Sequence, residues 1–524
     1  MNLGNEPATL DPAQVTDPPT IQIIHLLFLD LTNLRETDGA PVQSFATSWS
    51  VSEDGLVWEF HLRQDVEWVR YSSSTGRIDR KRAVNADDVA FSFRRIFDPR
   101  TQSGFASLFS SLIRNADQLN RTDPRTKTED LAKIAESVGV KRVDDFSVQF
   151  YLTHPYSAFP TLLGAWLGRL QPREPITDEG PSWTEPGLIW TNGPYMLERW
   201  EPNQYILLRK NPYYYDVANV QIDRLRFVML PDASSALDAF GRGKLDSTDP
   251  YGSIEGDALE RVNQDPTLSA YAHIGPSLCT QYFGFNVSRA PFDDVRVRQA
   301  LTLALNRSEL TQSINVGVLA RWFTHPAALA APVISDTLGL PFDVGRAKTL
   351  LEQAGYGTGK KVFPQVTFAT NDNPTFLQLA SAAANQWKKT LGIQVRLDSK
   401  DWELYQKGLT QKTAGIFRLG YCATIPDAGN FAYDVFRSNA AGGYNFTGWS
   451  NPVYDGIVDE AARETDSLRR RDLYRRAEQI LTQDDSVIIP LWWGTRIELT
   501  SKRIDRTRAV MEGYERVENW RLDQ

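Results

Sequence analysis

Hydrophobic residues along the chain follow two different spacings, one typical of helices and the other of strands. Apolar residues that recur every three or four positions predict seven helices, at 86–96, 129–137, 234–242, 295–314, 345–354, 375–391 and 467–484. Runs rich in Val, Ile, Phe and Tyr predict seven strands, at 58–62, 147–152, 205–209, 224–228, 365–369, 394–398 and 416–422. Two polar stretches, 70–82 and 115–128, are predicted to be surface loops. The mixed order favours α/β lobes that the chain enters more than once.

Length and charge narrow the class of protein. A chain of 524 residues exceeds the roughly 250–300 residues at which a single hydrophobic core stops growing, so two or three domains are expected. The net charge of −8 comes from scattered residues of both signs, and no basic stripe predicts a nucleic-acid partner. No apolar run reaches the roughly 18 residues that a membrane-spanning helix needs.

No motif in the sequence supports catalysis or a bound metal. Segment 355–360 has three residues between its outer glycines, where a phosphate-binding loop has four, and Lys361 stands where Ser or Thr would follow. A helix that ends in a glycine turn is the better interpretation of this segment. The histidines are scattered, and the spacings of zinc proteases, serine hydrolases and Cys-x-x-Cys sites do not occur. We therefore expect a protein that is not an enzyme and that has no metal and no cofactor.

Segment 290–307 combines an acidic helix start with a helical pattern of apolar residues. Asp293 and Asp294 precede the apolar positions, which predicts a capped and half-buried helix. Other recognisable segments follow a fixed order along the chain: Leu10-Asp11-Pro12, 49–63, Thr191-Asn192-Gly193-Pro194-Tyr195, Lys210-Asn211-Pro212-Tyr213-Tyr214, 241–246, 473–481 and 487–493. Together these segments resemble the extracytoplasmic solute-binding proteins of the peptide and nickel class (family 5), which feed ABC importers. The similarity is greatest to the oligopeptide-binding branch.

This resemblance implies a fold and a division into domains. The fold is of the α/β class, the two-lobe fold of periplasmic binding proteins (type II, the large cluster with an extra accessory domain), in which the ligand is enclosed between the lobes. Lobe I would comprise 1–45, 173–278 and 496–524, the accessory domain 46–172, and lobe II 279–495.

The resemblance also implies a location and partners. Such a protein is extracytoplasmic, either periplasmic or anchored to the outer face of the cell membrane, and it works as a monomer with the membrane subunits of an ABC permease. The amino end begins with Met1-Asn2-Leu3-Gly4, with no charged and apolar leader and no lipid-attachment cysteine ahead of it. We therefore expect that the export signal is absent from this sequence.

The chain contains two cysteines, Cys279 and Cys422. They stand where members of the oligopeptide-binding branch carry a pair that bridges neighbouring strands of the second lobe. The resemblance thus implies a disulfide, which an oxidising compartment would favour. Two buried free thiols are the alternative.

The same resemblance assigns the main ligand contacts to segment 418–427. This segment matches the strand on which relatives pair the backbone of an extended peptide, so the backbone from Gly420 through Tyr421 to Cys422 is the leading candidate contact. Main-chain hydrogen bonds of this kind give affinity that does not depend on the ligand sequence. An ordinary interior strand is the alternative.

Several positions depart from the family pattern. Peptide binders of the family have an aspartate at the position of Thr424, where it pairs with the peptide α-ammonium, and a threonine hydroxyl gives no countercharge. Either another carboxylate acts instead, with Asp427 the nearest in sequence, or the ligand has no free amine. Phe376 replaces a histidine that can meet the far end of the peptide, and Gly284 replaces a pocket glutamate. Arg418 is kept at a position that can meet a carboxylate, with a structural salt bridge as its alternative role.

The other members of the predicted site match pocket or near-pocket positions of the family, with one of the aromatic residues contributed by the accessory domain: Trp402, Tyr421, Trp492, Trp493, Phe105 and Pro18. Flat aromatic faces cover peptide side chains, and they also stack on sugar rings. Core packing is the alternative for any single tryptophan.

The sequence therefore predicts the substrate-binding component of an ABC importer, with an oligopeptide as the first choice of ligand. The expected mechanism is closure of two lobes on an extended solute, which shifts the population toward the form that docks on the permease. An oligosaccharide or other amine-free solute carrier, a ligand sensor without transport, and a hydrolase on the same fold are the alternatives.

Overall fold

The computed structural model describes residues 1–165, 168–248, 254, 256–313, 338–357, 360–438, 444–506 and 515–523. The chain forms two compact units, the first made of Met1–Gly275 with Arg496–Gln524 and the second of Pro276–Thr495. A separate accessory domain within the first unit stays a prediction. No helix in the described ranges has both the length and the apolar character that crossing a membrane requires.

The described helices divide between the two units. The first unit contains α1 Pro18–Leu27, α2 Ala86–Phe97, α3 Ala106–Ser110, α4 Ala116–Asn120, α5 Thr128–Ser137, α6 Phe159–Gly164, α7 Arg173–Glu179, α8 Ala233–Gly241, α9 Gly256–Gln264 and α10 Pro266–Ser269. The second unit contains α11 Val295–Leu303, α12 Arg307–Ser313, α13 Val344–Gln353, α14 Pro374–Leu391, α15 Trp402–Thr410, α16 Gly429–Ala432, α17 Pro452–Arg463 and α18 Ser467–Gln479.

The described strands form one five-stranded sheet and several smaller ones. The strands are β1 Thr32–Leu34, β2 Pro41–Gln43, β3 Ala46–Val51, β4 Val57–Leu62, β5 Glu67–Ser72, β6 Arg77–Ala83, β7 Val140–Asp144, β8 Ser147–Tyr151, β9 Tyr195–Glu201, β10 Tyr205–Lys210, β11 Arg224–Val228, β12 Ala272–Phe285, β13 Val366–Asn371, β14 Val395–Lys400, β15 Ile416–Cys422, β16 Ile488–Leu499, β17 Ile504–Asp505 and β18 Arg521–Leu522. The first unit holds the sheets β3-β4-β8-β7 and β11-β10-β9 and the pairs β1-β2, β5-β6 and β17-β18. The second unit holds the five-stranded sheet, in the order β14-β13-β15-β12-β16.

Most predicted elements are confirmed to within two residues, and three predictions were wrong. The predicted helix 295–314 is two helices, α11 and α12, and its last position, Ile314, lies outside the described residues. The predicted loop 115–128 contains the short helix α4. The predicted loop 70–82 is largely the hairpin β5-β6. Its charged residues pair across the two strands, for example Arg70 with Asp79 at 2.8 Å, so a polar segment can still form a sheet.

Asn192 and Gly193 connect two parts of the first unit through hydrogen bonds. The Asn192 side chain accepts a hydrogen bond from the Leu29 N–H at 2.9 Å, and Asn211 donates to the Gly193 carbonyl at 2.9 Å. A Cβ atom on Gly193 would lie only 2.7 Å from the Leu26 carbonyl oxygen. The glycine of this motif is therefore required by the close approach of its backbone to the carboxyl end of α1.

The five-stranded sheet separates two hydrophobic cores. Strand β13 runs parallel to both β14 and β15, and β12 runs antiparallel to β15. Because neighbouring side chains of a strand point to opposite faces, Phe283 and Ile416 enter one core, together with Trp387 of α14. Tyr282 and Phe417 enter the other core, against the helices α15 to α18.

Gly284 is the point of closest packing between β12 and β15. It faces Phe417 across the antiparallel pair, and a Cβ atom on Gly284 would lie 2.2 Å from Cζ of the Phe417 ring. The ring, which is 3% exposed, therefore occupies the space that a side chain at position 284 would need. Gly284 is thus a packing residue beneath an aromatic ring in this chain.

Cys279 and Cys422 form the implied disulfide. They face each other in the register of β12 with β15, with their Cα atoms 3.9 Å apart. The bridge joins positions 143 residues apart in the sequence, so it ties the start of the second unit to the end of its central strand.

We expect that reduction of the disulfide lowers the melting temperature without unfolding the protein at room temperature. Closing so long a loop stabilises a fold by up to about 4–5 kcal/mol on the chain-entropy model. Calorimetry with and without reductant measures the effect, and a Cys279→Ser, Cys422→Ser variant that does not respond to reductant is the control. Two reactive thiols in protein unfolded without reductant would contradict the pairing.

We expect Gly284→Ala to destabilise the protein by about 1–3 kcal/mol, as for overpacking of a core, and Phe417→Leu to make room for the added methyl group. The double variant should then lose less stability than the two single losses together, as measured by denaturant unfolding. Gly275→Ala is the matched control, because Gly275 lies in the same strand and no heavy atom lies within 4 Å of its added Cβ. Equal losses at positions 284 and 275 would show that the ring contact is unimportant.

Candidate functional site

Three parallel strands of the second unit end at the same edge of the sheet. Helix α14 starts just after β13, with Asn373 accepting from the Thr375 N–H at 3.0 Å, and α15 starts just after β14, with Asp401 accepting from the Leu404 N–H at 3.0 Å. In α/β sheets, ligands bind at the carboxyl ends of the parallel strands. A candidate site is therefore expected at the end of β15 and the first turns of α14 and α15.

Strand β15 has a backbone edge that β13 does not cover. Within the described ranges, its register with β13 includes only Ile416 and Phe417, whereas its register with β12 runs to Cys422. The Ala423 N–H donates to the Leu278 carbonyl at 2.9 Å, and the backbone groups of an antiparallel strand alternate between its two sides. Gly420 and Cys422 therefore direct their N–H and C=O groups away from β12, toward the uncovered side.

Arg418 lies at the beginning of this edge and is 5% exposed. Its guanidinium donates to Gln281 Oε1, and its Cζ atom lies 3.2 Å from the centre of the Phe376 ring. Its Nε–H has no hydrogen-bond partner in the described part of the chain, and burial is the largest cause of its pKa shift, ahead of Tyr405 and Tyr282. Burial lowers the pKa of Arg418 to about 10, so the group is a buried cation at pH 7. The salt-bridge alternative therefore finds no support among the described residues.

Gln281 is a candidate site residue that the sequence pattern did not indicate. It faces Gly420 in the register of β12 with β15, and a Cβ atom on Gly420 would lie 2.6 Å from the Gln281 amide nitrogen. The amide thus lies over Gly420 while it accepts from Arg418. The disulfide could have found it, because an antiparallel pairing of Cys279 with Cys422 also brings Gln281 opposite Gly420.

On the other face of β15, Tyr421 belongs to an aromatic cluster. Its ring centre lies 5.2 Å from that of Phe431 and 5.7 Å from that of Tyr444. Tyr421 is half-buried, so part of the residue remains accessible. An accessible aromatic ring beside an uncovered backbone edge can cover an apolar ligand group.

Thr424 lies just beyond the strand, in a short chain of hydrogen bonds. Its N–H donates to Asn430 Oδ1 at 2.6 Å, and Asn430 Nδ2 donates to Asp434 Oδ2 at 2.6 Å. The turn of α16 brings these residues together, although ten positions separate Thr424 from Asp434. Periodicity cannot show such a turn, which explains why Asp434 was missed.

Asp427, which the sequence offers as an alternative partner for a ligand ammonium group, forms an ion pair within the fold. Both of its oxygens accept from Arg470, at 2.6 and 2.7 Å, and Oδ1 also accepts from the Gly429 N–H at 2.8 Å. The carboxylate is 6% exposed. This bidentate pair fixes the loop after β15 to α18, so the charge of Asp427 is already balanced within the fold.

The remaining predicted residues differ in exposure. Trp402 is 49% exposed at the first turn of α15, with its ring centre 6.0 Å from that of Tyr405. Trp492 and Trp493 are buried in β16, and Trp492 is part of a hydrophobic core. Phe105 is buried in the first unit, with its ring centre 6.4 Å from that of Phe109. The side chain of Pro18 lies outside the described residues.

Within the described residues, no group of three or more His, Cys, Asp or Glu side chains comes together as it would to hold a metal ion. Three other features come together at the β15 edge. They are a backbone that can form hydrogen bonds, the buried cation of Arg418 at one end, and the carboxylate of Asp434 near the other end. Such an arrangement can bind an extended molecule, because each of its elements recognises a main chain or a charged terminus.

Comparison with known proteins gives one family. Residues 40–443 match the model of the bacterial extracellular solute-binding proteins, family 5 middle. The periplasmic oligopeptide-binding protein OppA of Escherichia coli (strain K12) is 30% identical over 504 residues, which cover 95% of this chain and 87% of that protein. The probable deoxycholate-binding periplasmic protein YgiS of the same organism is 30% identical over 515 residues, which cover 95% of this chain and 88% of that protein.

A solved structure agrees with this result. The unliganded open form of the periplasmic murein tripeptide-binding protein MppA is 26% identical to this chain, with a TM-score of 0.86 and coverage of 99% of this chain and 96% of that one. The predicted two-lobe fold of the periplasmic binding proteins is thereby confirmed. The chain belongs to the bacterial extracellular solute-binding proteins of family 5.

Proposed function

We propose that the protein is the substrate-binding component of an ABC importer and that it captures an extended peptide along the uncovered edge of β15. The observation that carries the proposal is that the backbone N–H and C=O groups of Gly420 and Cys422 face away from β12 and lie beyond the part of β15 that is in register with β13. The relatives named as oligopeptide-binding or murein tripeptide-binding support the choice of a peptide.

In this proposal the peptide backbone extends the sheet beside β15. Its N–H and C=O groups pair with those of Gly420 and Cys422, which gives affinity for any sequence, and its side chains alternate between the two faces of the sheet. The Tyr421 ring meets one face, and the Gln281 amide meets the other. Ordered water fills the space that side chains of different size leave, so peptides of different composition can be accepted.

Arg418 binds the carboxylate end of the ligand in this proposal. A buried guanidinium without a carboxylate partner has lost its hydration and has gained no ion pair. The ligand carboxylate restores that balance through two parallel N–H···O bonds. The face of the Phe376 ring lies against the guanidinium and holds its plane.

Membership of the family supports a proposal for the location and the partners of the protein. We infer an extracytoplasmic protein that delivers its ligand to an ABC permease, and the disulfide suits the oxidising conditions there. We infer closure of two lobes on the ligand as the signal for docking, with the ligand shifting the population toward the closed form. The chain crosses between its two compact units within β12 and β16, so these two strands would carry the hinge.

An amine-free carboxylate with a large apolar body is the second candidate ligand. Thr424 offers no countercharge for an amine, whereas Arg418, Phe376 and Trp402 suit a carboxylate attached to an apolar body. The name of YgiS as a probable deoxycholate-binding protein points in the same direction.

The mass of the retained ligand separates these candidates. The purified protein is incubated with a mixture of tri- and tetrapeptides, deoxycholate and malto-oligosaccharides, washed, gently denatured and examined by mass spectrometry. We expect peptide masses in the released fraction. Release of deoxycholate or sugar without any peptide would overturn the first choice.

We expect Arg418→Gln to weaken binding of a peptide with a free carboxylate by about 1.5–3 kcal/mol, the value of a hydrogen bond to a charged group. Binding of the same peptide as a carboxyl-terminal amide should change much less. Calorimetry with a retained peptide in both forms measures the difference. The matched control is Arg475→Gln, which removes an arginine of α18 with a side-chain exposure of 48%. Equal losses for the acid and the amide would remove Arg418 from the ligand contact.

A further inference from the structure

The carboxylate of Asp434 stands out among the acidic groups of the second unit. Its Oδ2 atom accepts from Asn430 Nδ2 at 2.6 Å, and the same Asn430 side chain accepts from the Thr424 N–H. The Asp434 N–H donates to the Gly429 carbonyl at 3.1 Å. Asp434 is thus held two hydrogen bonds away from the position at which the family pattern has lost its carboxylate.

Asp434 has no ion pair in the described part of the chain, in contrast to the nearby Asp427. The Arg470 guanidinium donates to both oxygens of Asp427. Arg437, the first arginine after Asp434 in the sequence, pairs with Asp459 at 2.7 Å. The carboxylate of Asp434 is half-buried. It therefore combines a charge, partial removal from water and a fixed orientation, which together suit a cation that arrives from outside.

The charged and titratable groups around Asp434 are one further carboxylate, one arginine and three tyrosines. Those whose electrostatic influence reaches it, or which it influences, are Asp427, Tyr421, Tyr433 and Tyr474, with Arg470 balancing Asp427. Burial raises the pKa of Asp434 to about 6, with Asp427 acting in the same direction and the hydrogen bond from Asn430 acting against both. The carboxylate is thus ionised at pH 7.5 and loses its charge as the pH falls through 6.

We propose that Asp434 is the counter-ion for the amino terminus of the bound peptide, in place of the carboxylate that Thr424 does not provide. This inference rests on the proposed function, and it narrows the ligand to peptides with a free α-ammonium group. Asn430 is the positioning residue, because it orients the Asp434 oxygen and also holds the Thr424 backbone. Asp427 is the weaker candidate for the role because Arg470 binds both of its oxygens and already balances its charge.

The test compares free and blocked amines in one mixture. Wild-type protein is incubated with tri- and tetrapeptides and an equal amount of their N-acetylated forms, and the retained peptides are quantified by mass spectrometry. We expect wild type to prefer the free amines by about 10- to 100-fold, the effect of a hydrogen bond to a charged group. Asp434→Asn keeps an acceptor for Asn430 and should lose most of that preference. Asp472→Asn, which removes an exposed carboxylate of α18, is the matched control and should keep it.

The outcomes separate this inference from the proposed function. Retention of both peptide forms in equal amounts by wild type would leave peptide binding in place and overturn the role of Asp434. Persistence of the preference in Asp434→Asn would do the same. Failure to retain any peptide would overturn the proposed function and this inference with it.

A pH series and a melting curve give a readout that a merely structural residue would not move. The preference of wild type for free amines should decline between pH 7.5 and pH 5, whereas Asp434→Asn should show no such decline. Since the folded protein raises the pKa of this carboxyl group, its ionisation opposes folding as the pH rises from about 4 to 6. Asp434→Asn without ligand should therefore melt above wild type at pH 7.5. A lower melting temperature together with an unchanged preference would mark Asp434 as structural.

Discussion

The pairing of Cys279 with Cys422 is the constraint on which the site in the second unit depends. It fixes the register of β12 against β15, so that Gln281 faces Gly420 and Gly284 faces Phe417. A slip of one residue would turn every side chain of β15 to the opposite face. Arg418 would then leave Phe376 and enter the core beside Tyr282, and the ring of Phe417 would lose the space that Gly284 provides.

The sequence predicts elements of this fold well where hydrophobic spacing is strong, as in β15 and α14. It fails where charge patterns compete with that spacing. The hairpin β5-β6 is rich in Arg, Lys and Asp, and only the pairing of these residues across the strands makes it a sheet. For the site, the family resemblance leads to Arg418 and to the β15 segment. It cannot show that Arg470 binds Asp427, because that contact joins positions 43 residues apart. Nor can it show that the turn of α16 brings Asp434 back toward Thr424.

The two charges of the proposed site are kept at the expense of stability. Arg418 is a buried cation with a lowered pKa and Asp434 is a carboxyl group with a raised one, and in each case burial is the largest cause. By contrast, Asp427 and Arg437 of the second unit are ion-paired, and the buried Arg307 donates to the backbone carbonyls of Pro490 and Leu340. Charged groups with shifted pKa values cluster at functional sites. A ligand that supplies the missing countercharge forms an ion pair that the free protein does not have.

The uncovered part of β15 is short, and its length limits what can pair with it. From Gly420 to Cys422 it covers three residues, or roughly 10 Å at about 3.3 Å per residue. An edge this short, closed at one end by a disulfide and at the other by a buried arginine, is a poor template for pairing with another copy of the chain, so it avoids aggregation. Its length would also limit how much of the ligand backbone can pair with the sheet in the proposed binding mode. In the proposed binding mode, main-chain recognition would extend over about three residues of any peptide, whatever its total length.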